Sequence, residues 1–379
     1  MADLQTIVQK HLDDLVNRGE ESGLQCAIYL DGRLEVDAVA GTVDGQSDTP
    51  IQPDHLCTVF STSKGIAATA VHILAERGRV EYEAPVAHYW PEFGVEGKQS
   101  VTVIQALNHL AGIPQVPHVD DLPHPELWYD LDRVVAETAK LAPMFEPGET
   151  ACYHALTFGW ILSGLVQRVD GRTLGAFIRD EIAAPLGILG DMFLGTPASE
   201  HDRLTALHLP PDSHGDQDVV DPESLVGKIW PETALALDLI FNSTSVREAE
   251  VAAANVSTSA RALARMYGSL VSEIDGVRLI SESHLSRVLA LQSDRVDQLL
   301  GTDGETLTPR VGGYHANTME ETNSHFYWGT GYRAFGHSGA GGSCGLADPD
   351  LKLGFGYTKT RLADTSFRPL IRKICEALA

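Results

Sequence analysis

The chain has 379 residues, 43% of them apolar, and a formal net charge of −24 from 28 basic and 52 acidic side chains. That length holds one large domain or two smaller ones around a substantial core. The charge argues against nucleic acid or an anionic membrane as a partner, and nothing in the sequence approaches the 18 consecutive apolar residues of a membrane span.

Met1-Ala2-Asp3-Leu4-Gln5 has no basic region leading into an apolar run, so no export signal is expected. The five cysteines, Cys26, Cys57, Cys152, Cys344 and Cys375, show no Cys-x-x-Cys spacing. They fit reduced, mostly buried thiols in a cytoplasmic protein better than a disulfide framework or a zinc site. The oligomeric state has no signature.

Taken in order, Leu4, Ile7, Val8, His11, Leu12, Leu15 and Val16 predict an amphipathic helix over 4–18. Residues 24–30 and 34–40 read as strands, joined by the two-residue hairpin signal Asp31-Gly32. Thr58-Val59-Phe60 leads into Ser61, and an alanine-rich helix follows to about Arg77, stopped by Gly78. Helical periodicity recurs at 101–109, 131–140, 156–169, 176–184 and 260–271, whereas 197–230 and 298–325 are polar and irregular and are expected to cover a binding site or to move. Strand character returns at 334–339 and 353–358, before a last amphipathic helix over 366–378. The simplest assembly is an α/β (α+β) fold in which an antiparallel sheet is built from both termini and flanked by helices. Residues 1–78 and 326–379 would form this part, with 79–325 as an inserted, mostly helical domain.

The stretch Ser61-Thr62-Ser63-Lys64 carries the chemistry. Residues three apart share a helix face, so the Ser61 hydroxyl and the Lys64 amine point the same way. A weak nucleophile beside a base is what an activated serine requires, and Ser-x-x-Lys is an acyl-transfer pattern. Two other patterns lack the context their chemistry needs. Gly341-Gly342-Ser343-Cys344-Gly345 matches Gly-x-Ser-x-Gly, but a turn into a strand follows it and no histidine lies downstream. His118, Asp120, Asp121 and His124 have some metal-ligand character, but Pro117 and Pro123 break any helix that would align them.

Four more stretches accompany Ser61 and Lys64 in a telling order: Val86 to Phe93 (VAHYWPEF), Leu107 to Pro114 (LNHLAGIP), Phe145 to Glu149 (FEPGE) and Phe335 to Ser343 (FGHSGAGGS). Together they resemble the serine β-lactamase and penicillin-binding-protein-like superfamily, and within it the class C β-lactamase-like esterases, the family VIII carboxylesterases. The resemblance implies that Ser61 becomes acylated, that Lys64 is its base or electrostatic partner, and that Tyr153, of Tyr153-His154-Ala155, moves protons to and from nucleophile and leaving group. It implies an oxyanion hole made by the backbone N–H groups of Ser61 and Ala340, and a substrate-binding set of His154, His337, Ser338 and Gly339. It implies no metal and no organic cofactor. Ala155 stands where the family has Asn, and His337 stands where lactamases and peptidases have Lys. Both departures favour a small-molecule ester over penicillins or peptidoglycan stems. The same acyl-enzyme also suits an acyltransferase, a D-amino-acid amidase or peptidase, or a weak β-lactamase, and a non-catalytic binding role is the reading of another class.

Overall fold

The computed structural model describes residues 3–119, 125–210, 221–230, 237–301, 309–317, 333–363 and 367–378. Asp120, Asp121 and His124, and much of the two polar stretches, lie outside the described residues.

Eleven strands occur among them: β1 (Gly23–Leu30), β2 (Arg33–Gly41), β3 (Cys57–Thr58), β4 (Met192–Phe193), β5 (Ser257–Thr258), β6 (Gln292–Ser293), β7 (Arg310–Val311), β8 (Tyr314–Ala316), β9 (Phe335–Ser338), β10 (Cys344–Asp348) and β11 (Leu353–Lys359). Eight of them form one antiparallel sheet in the order β2-β1-β11-β10-β9-β8-β7-β6. The two ends of the chain meet at its centre, where β1 pairs with β11 from Leu24 opposite Lys359 to Leu30 opposite Leu353. The hairpin signal is realised at Asp31 (φ 44°) and Gly32 (φ 80°), the paired positive φ values that a tight turn between twisted strands demands.

Numbering only helices of eight or more residues, these are α1 (Leu4–Asn17), α2 (Ser63–Glu76), α3 (Leu131–Lys140), α4 (Thr157–Asp170), α5 (Ala260–Val271), α6 (Glu282–Leu289) and α7 (Arg368–Leu378). One face of the sheet is covered by α1 and α7, whose Val8, Leu12, Leu370, Ile371 and Ile374 join Ile28, Leu346 and Phe355 in one apolar cluster. The other face takes α5, and beyond it lies the larger core that α2 and α4 share with the rest of the helical region. Because β10 and β11 put Gly345, Gly354 and Gly356 under α5, the helix sits almost on the sheet backbone. A Cβ on Gly356 would lie 2.2 Å from the Ala260 carbonyl oxygen, and one on Gly354 would lie 2.3 Å from the Gly268 nitrogen. Small residues on both sides make that approach possible.

Several details differ from the sequence expectation. β10 falls on residues read as a turn, since a strand of five residues so rich in small side chains gives little alternation to read. Helix α5 and strands β6 to β8 pack on or join the sheet, although the sequence reading placed them with the inserted helical region. The residues before Ser61 belong to a second, three-stranded sheet, β3-β5-β4, rather than to the main one. Ser61 itself lies in a 3-10 turn, Phe60–Thr62, that feeds α2. Gly78 (φ 67°) closes that helix as expected.

Gly356→Val is expected to destabilise the protein by about 3 kcal/mol or more, because backbone faces backbone there and neither side can yield. A urea titration read by circular dichroism against the parent protein measures it.

Candidate active site

Lys64 is the best buried cation in the neighbourhood of Ser61, with no exposed surface at all. Its Nζ donates to three oxygens: Ser61 Oγ at 3.0 Å, the Ala155 carbonyl at 2.8 Å and the Ala253 carbonyl at 2.9 Å. An ammonium has three donors and no acceptor, so this set saturates the charged form. It also suits the neutral amine, whose two N–H groups satisfy the two carbonyls while its lone pair accepts the Ser61 O–H. Burial favours the neutral form, holding the amine well below the ordinary lysine range, and the Arg310 charge adds to it.

The turn that carries Ser61 is clamped from two sides. On one, Val59 N–H donates to Val256 O at 3.0 Å and Val256 N–H donates to Ser63 Oγ at 3.0 Å. On the other, Ser343 Oγ donates to Val59 O at 2.7 Å and lies 3.2 Å from Thr62 Oγ1. Phe60 between them holds φ 45°, an uncommon left-handed value for a non-glycine residue at a functional turn. Ser343 is buried and bonded to the backbone, so this serine of the second pattern acts as a strut beneath the first.

Tyr153 stands over the pair. Its ring centroid is 4.8 Å from Lys64 Nζ, and the Ser61 side chain acts on its phenol from close by. Burial raises this phenol above its ordinary value, so it keeps its proton. Lys64 meets the face of the ring, its amine being spent on Ser61 Oγ and the Ala155 and Ala253 carbonyls. The ring of His109, a residue at φ 60°, packs on Tyr153 at 4.8 Å and stacks on Phe158 at 4.8 Å. From another side comes a buried ion pair: Arg310 Nη2 donates to Asp297 Oδ2 at 2.7 Å, Asp297 Oδ1 accepts the Tyr153 N–H at 3.1 Å, and Arg310 Cζ is 5.3 Å from the Tyr153 centroid.

The four residues expected to bind substrate divide. His154 is spent on backbone: its Nε2 accepts the Ile113 N–H at 3.2 Å and its Nδ1 donates to Cys152 O at 2.7 Å, in a fully buried position. Both ring nitrogens thus tie the Tyr153 loop to backbone. His337 lies in the inner wall, 6.4 Å ring to ring from Tyr153 and 3.9 Å from His315, with Nδ1 donating to Ser338 O at 2.7 Å. Burial first, and the Arg310 charge in the same direction, lower its affinity for a second proton. Ser338 and Gly339 are half-buried and Ala340 is exposed, which puts them on the open side. A Cβ on Gly339 would lie 2.2 Å from the Val59 carbonyl oxygen, so the turn that carries Ser61 itself requires glycine here. This contact packs the turn at Gly339, which leads into Ala340, against the turn that carries Ser61.

Sequence reading missed Asp297, Arg310 and the Ala253 carbonyl, and gave no role to His109 within its LNHLAGIP stretch. An isolated arginine in a polar stretch carries no signal of burial. Among the described residues no group of three or more His, Cys, Asp or Glu could hold a metal ion, and no helix is long and apolar enough to cross a membrane.

Comparison with known proteins agrees in family and fold. Residues 8–378 match the family model described as "Beta-lactamase". The chain is 34% identical over 351 residues to "Esterase/beta-lactamase LipL" of Mycobacterium tuberculosis, covering 89% of this chain and 76% of that protein. Among solved structures it is similar to a family VIII carboxylesterase (29% identity, TM-score 0.85, 100% of this chain and 98% of the other). It is also similar to a penicillin-binding protein homolog from Caulobacter crescentus (31% identity, TM-score 0.84, 100% of this chain and 97% of the other).

His154 is held at about 4, first by burial, against about 6.5 when free. The folded protein therefore binds fewer protons than the unfolded chain between these values, and this share of stability is full above 6.5 and lost as pH falls. The expected loss is about 1.4 kcal/mol per pH unit across that window. Urea midpoints at pH 7 and pH 5 measure the slope, which His154→Gln is expected to reduce.

Proposed function

For a chain that belongs to the beta-lactamase family, we propose that it is a serine carboxylesterase that hydrolyses small acyl esters through an acyl-enzyme on Ser61. The observation that carries this reading is the coordination of Lys64, whose amine lies 3.0 Å from Ser61 Oγ while two carbonyls occupy its remaining directions. A buried, neutral amine so placed is a base aimed at one hydroxyl.

The steps follow from that geometry. Lys64 takes the Ser61 proton as Oγ attacks the ester carbonyl. The oxyanion that forms is received by the N–H groups of Ser61 and Ala340, each such donor supplying about 3–4 kcal/mol in comparable sites. Tyr153 donates its phenolic proton to the departing alkoxide and is reprotonated from Lys64, which regains the base form. Water then attacks the acyl group, its proton passing back through Tyr153 and Lys64, and releases the acid with Ser61 restored. Arg310 and the buried imidazoles supply polarity to the wall, and no step asks for a metal or organic cofactor.

Esters are favoured over lactams and peptides by the residues that stand at two positions. His337 is neutral and internally bonded, so it offers no fixed cation to a substrate carboxylate, and Ala155 has no amide side chain to hold a substrate amide. The esterases among the similar proteins support the same choice. The name of the Mycobacterium tuberculosis relative also contains a β-lactamase activity, so nitrocefin belongs in the same assay.

Ser61→Ala is expected to abolish both turnover of p-nitrophenyl esters and the intact-mass shift left by a fluorophosphonate, whereas Ser343→Ala keeps the label on Ser61. Label that survives Ser61→Ala and disappears in Ser343→Ala would sink this assignment. Lys64→Arg substitutes a cation that cannot give up its proton. A fall in kcat/KM of about 10²–10⁴-fold is expected, the usual share of a general base.

A further inference from the structure

Arg310 and Asp297 have no part in those steps, yet they are buried in the same shell as Lys64, at 2% and 0% exposure. Asp297 grips the Tyr153 loop by its carboxylate: Oδ1 accepts the N–H groups of Tyr153 at 3.1 Å, Leu299 at 2.9 Å and Leu300 at 3.0 Å. Arg310 grips the same residue by its ring. Its Cζ is 5.3 Å from the Tyr153 centroid, and Lys64 Nζ is 4.8 Å from that same centroid. Only Nη2 of the guanidinium is bonded to Asp297, while Nε and Nη1 find no acceptor among the described residues.

A strut alone has no need of charge here. A buried ion pair is expensive to desolvate, and apolar residues of the same volume hold a loop as well or better. A guanidinium differs from any apolar strut in one respect: it keeps its proton at every working pH. Lys64 therefore shares a low-dielectric shell with a permanent like charge, and of two such cations the lysine is the one able to become neutral. The other groups facing Lys64 do not offset this. They are Ser61 Oγ, the Ala155 and Ala253 carbonyls, the Tyr153 ring, and the buried, neutral imidazoles of His109, His154 and His337. The carboxylate among these contacts, Asp297, is turned to Arg310 and to three backbone N–H groups.

We propose that Arg310, held by Asp297, is a positioning residue of the acyl transfer, fixing Tyr153 over Lys64 and keeping the Lys64 amine in its neutral, proton-accepting form. This rests on the reading of Lys64 as the base for Ser61. Burial is the first cause that depresses the Lys64 amine and the Arg310 charge is the second. The same charge opposes the burial that raises Tyr153, so it acts on the base and the acid of the reaction in one direction.

The test is the pH dependence of phosphonylation at Ser61, followed by intact mass with a fluorophosphonate. It compares the parent protein with Arg310→Met, Arg310→Lys and the double variant Asp297→Asn/Arg310→Met, with a thermal melt of each. Arg310→Met is expected to move the acidic limb up by about one pH unit or more, with labelling about tenfold slower at the parent's midpoint. Arg310→Lys, which keeps the charge, is expected to leave the limb near its parent position. The double variant leaves no unpaired buried carboxylate, so it regains thermal stability lost in the single one while its limb stays shifted. A limb unmoved in both Met-bearing variants, or moved as far by Arg310→Lys, overturns the proposal and makes the pair a strut. An unlabelled Ser61 in the parent protein overturns the esterase reading instead, so the two failures are distinct.

Discussion

The structure turns on one buried amine. Lys64 has no exposed surface, and its three partners come from three separate parts of the chain: the nucleophile's own turn, the loop before α4 and the loop before β5. A lysine left unpaired at that depth would cost several kcal/mol, so the loops at 155 and 253 are held to it as firmly as it is held to them. Tyr153 lies two residues before the Ala155 carbonyl, and the Val256–Ser63 bond lies three residues after Ala253. Fixing the amine thereby fixes the phenol and one wall of the nucleophile's turn.

The opposite wall comes from the sheet. Strand β9 ends in His337 and Ser338, then turns through Gly339 onto the Val59 carbonyl, where Ser343 completes the contact. Strands β9 to β11 are thus an anvil for a site whose chemistry comes from helices and loops. The close seat of α5 on Gly354 and Gly356 belongs to the same design, because it lets the sheet and the helical core share one thickness of packing. The charge distribution is divided as well. The chain carries −24 overall, while the contacts inside the site are one guanidinium, a buried amine, neutral imidazoles and one carboxylate already engaged with the guanidinium.

Much of this was legible because it is periodic or local. The helices over 131–140 and 260–271 and the β1–β2 hairpin are repeating patterns that need no partner to be read. Ser61 and Lys64 are three residues apart, and their bond is a local one. What escaped has a common physical character. Ala253 contributes a carbonyl, which every residue possesses, so its side chain announces nothing. Arg310 and Asp297 are charged residues in a polar stretch, where solvent exposure is the ordinary expectation, and only tertiary burial turns them into site components. His154 shows the limit from the other side: its place beside Tyr153 suggests a substrate contact, while its two backbone partners, Ile113 N–H and Cys152 C=O, are invisible in the sequence.

The raised phenol bears on which bond the proposed site breaks. A tyrosine that keeps its proton is a poor base for a resting serine but an adequate acid for an alkoxide, which is a much stronger base than phenolate. Ester cleavage expels such an alkoxide, so proton transfer from Tyr153 runs downhill even after burial has raised the phenol. A lactam or peptide nitrogen needs its proton delivered while the amide bond is still breaking, in a pose that must be held. At this site the residues that would hold that pose are an alanine and an internally bonded histidine. The proposed division of labour, an amine that takes the serine proton and a phenol that gives one to the leaving group, therefore suits an ester better than an amide, and the role proposed for Arg310 favours it from the amine's side.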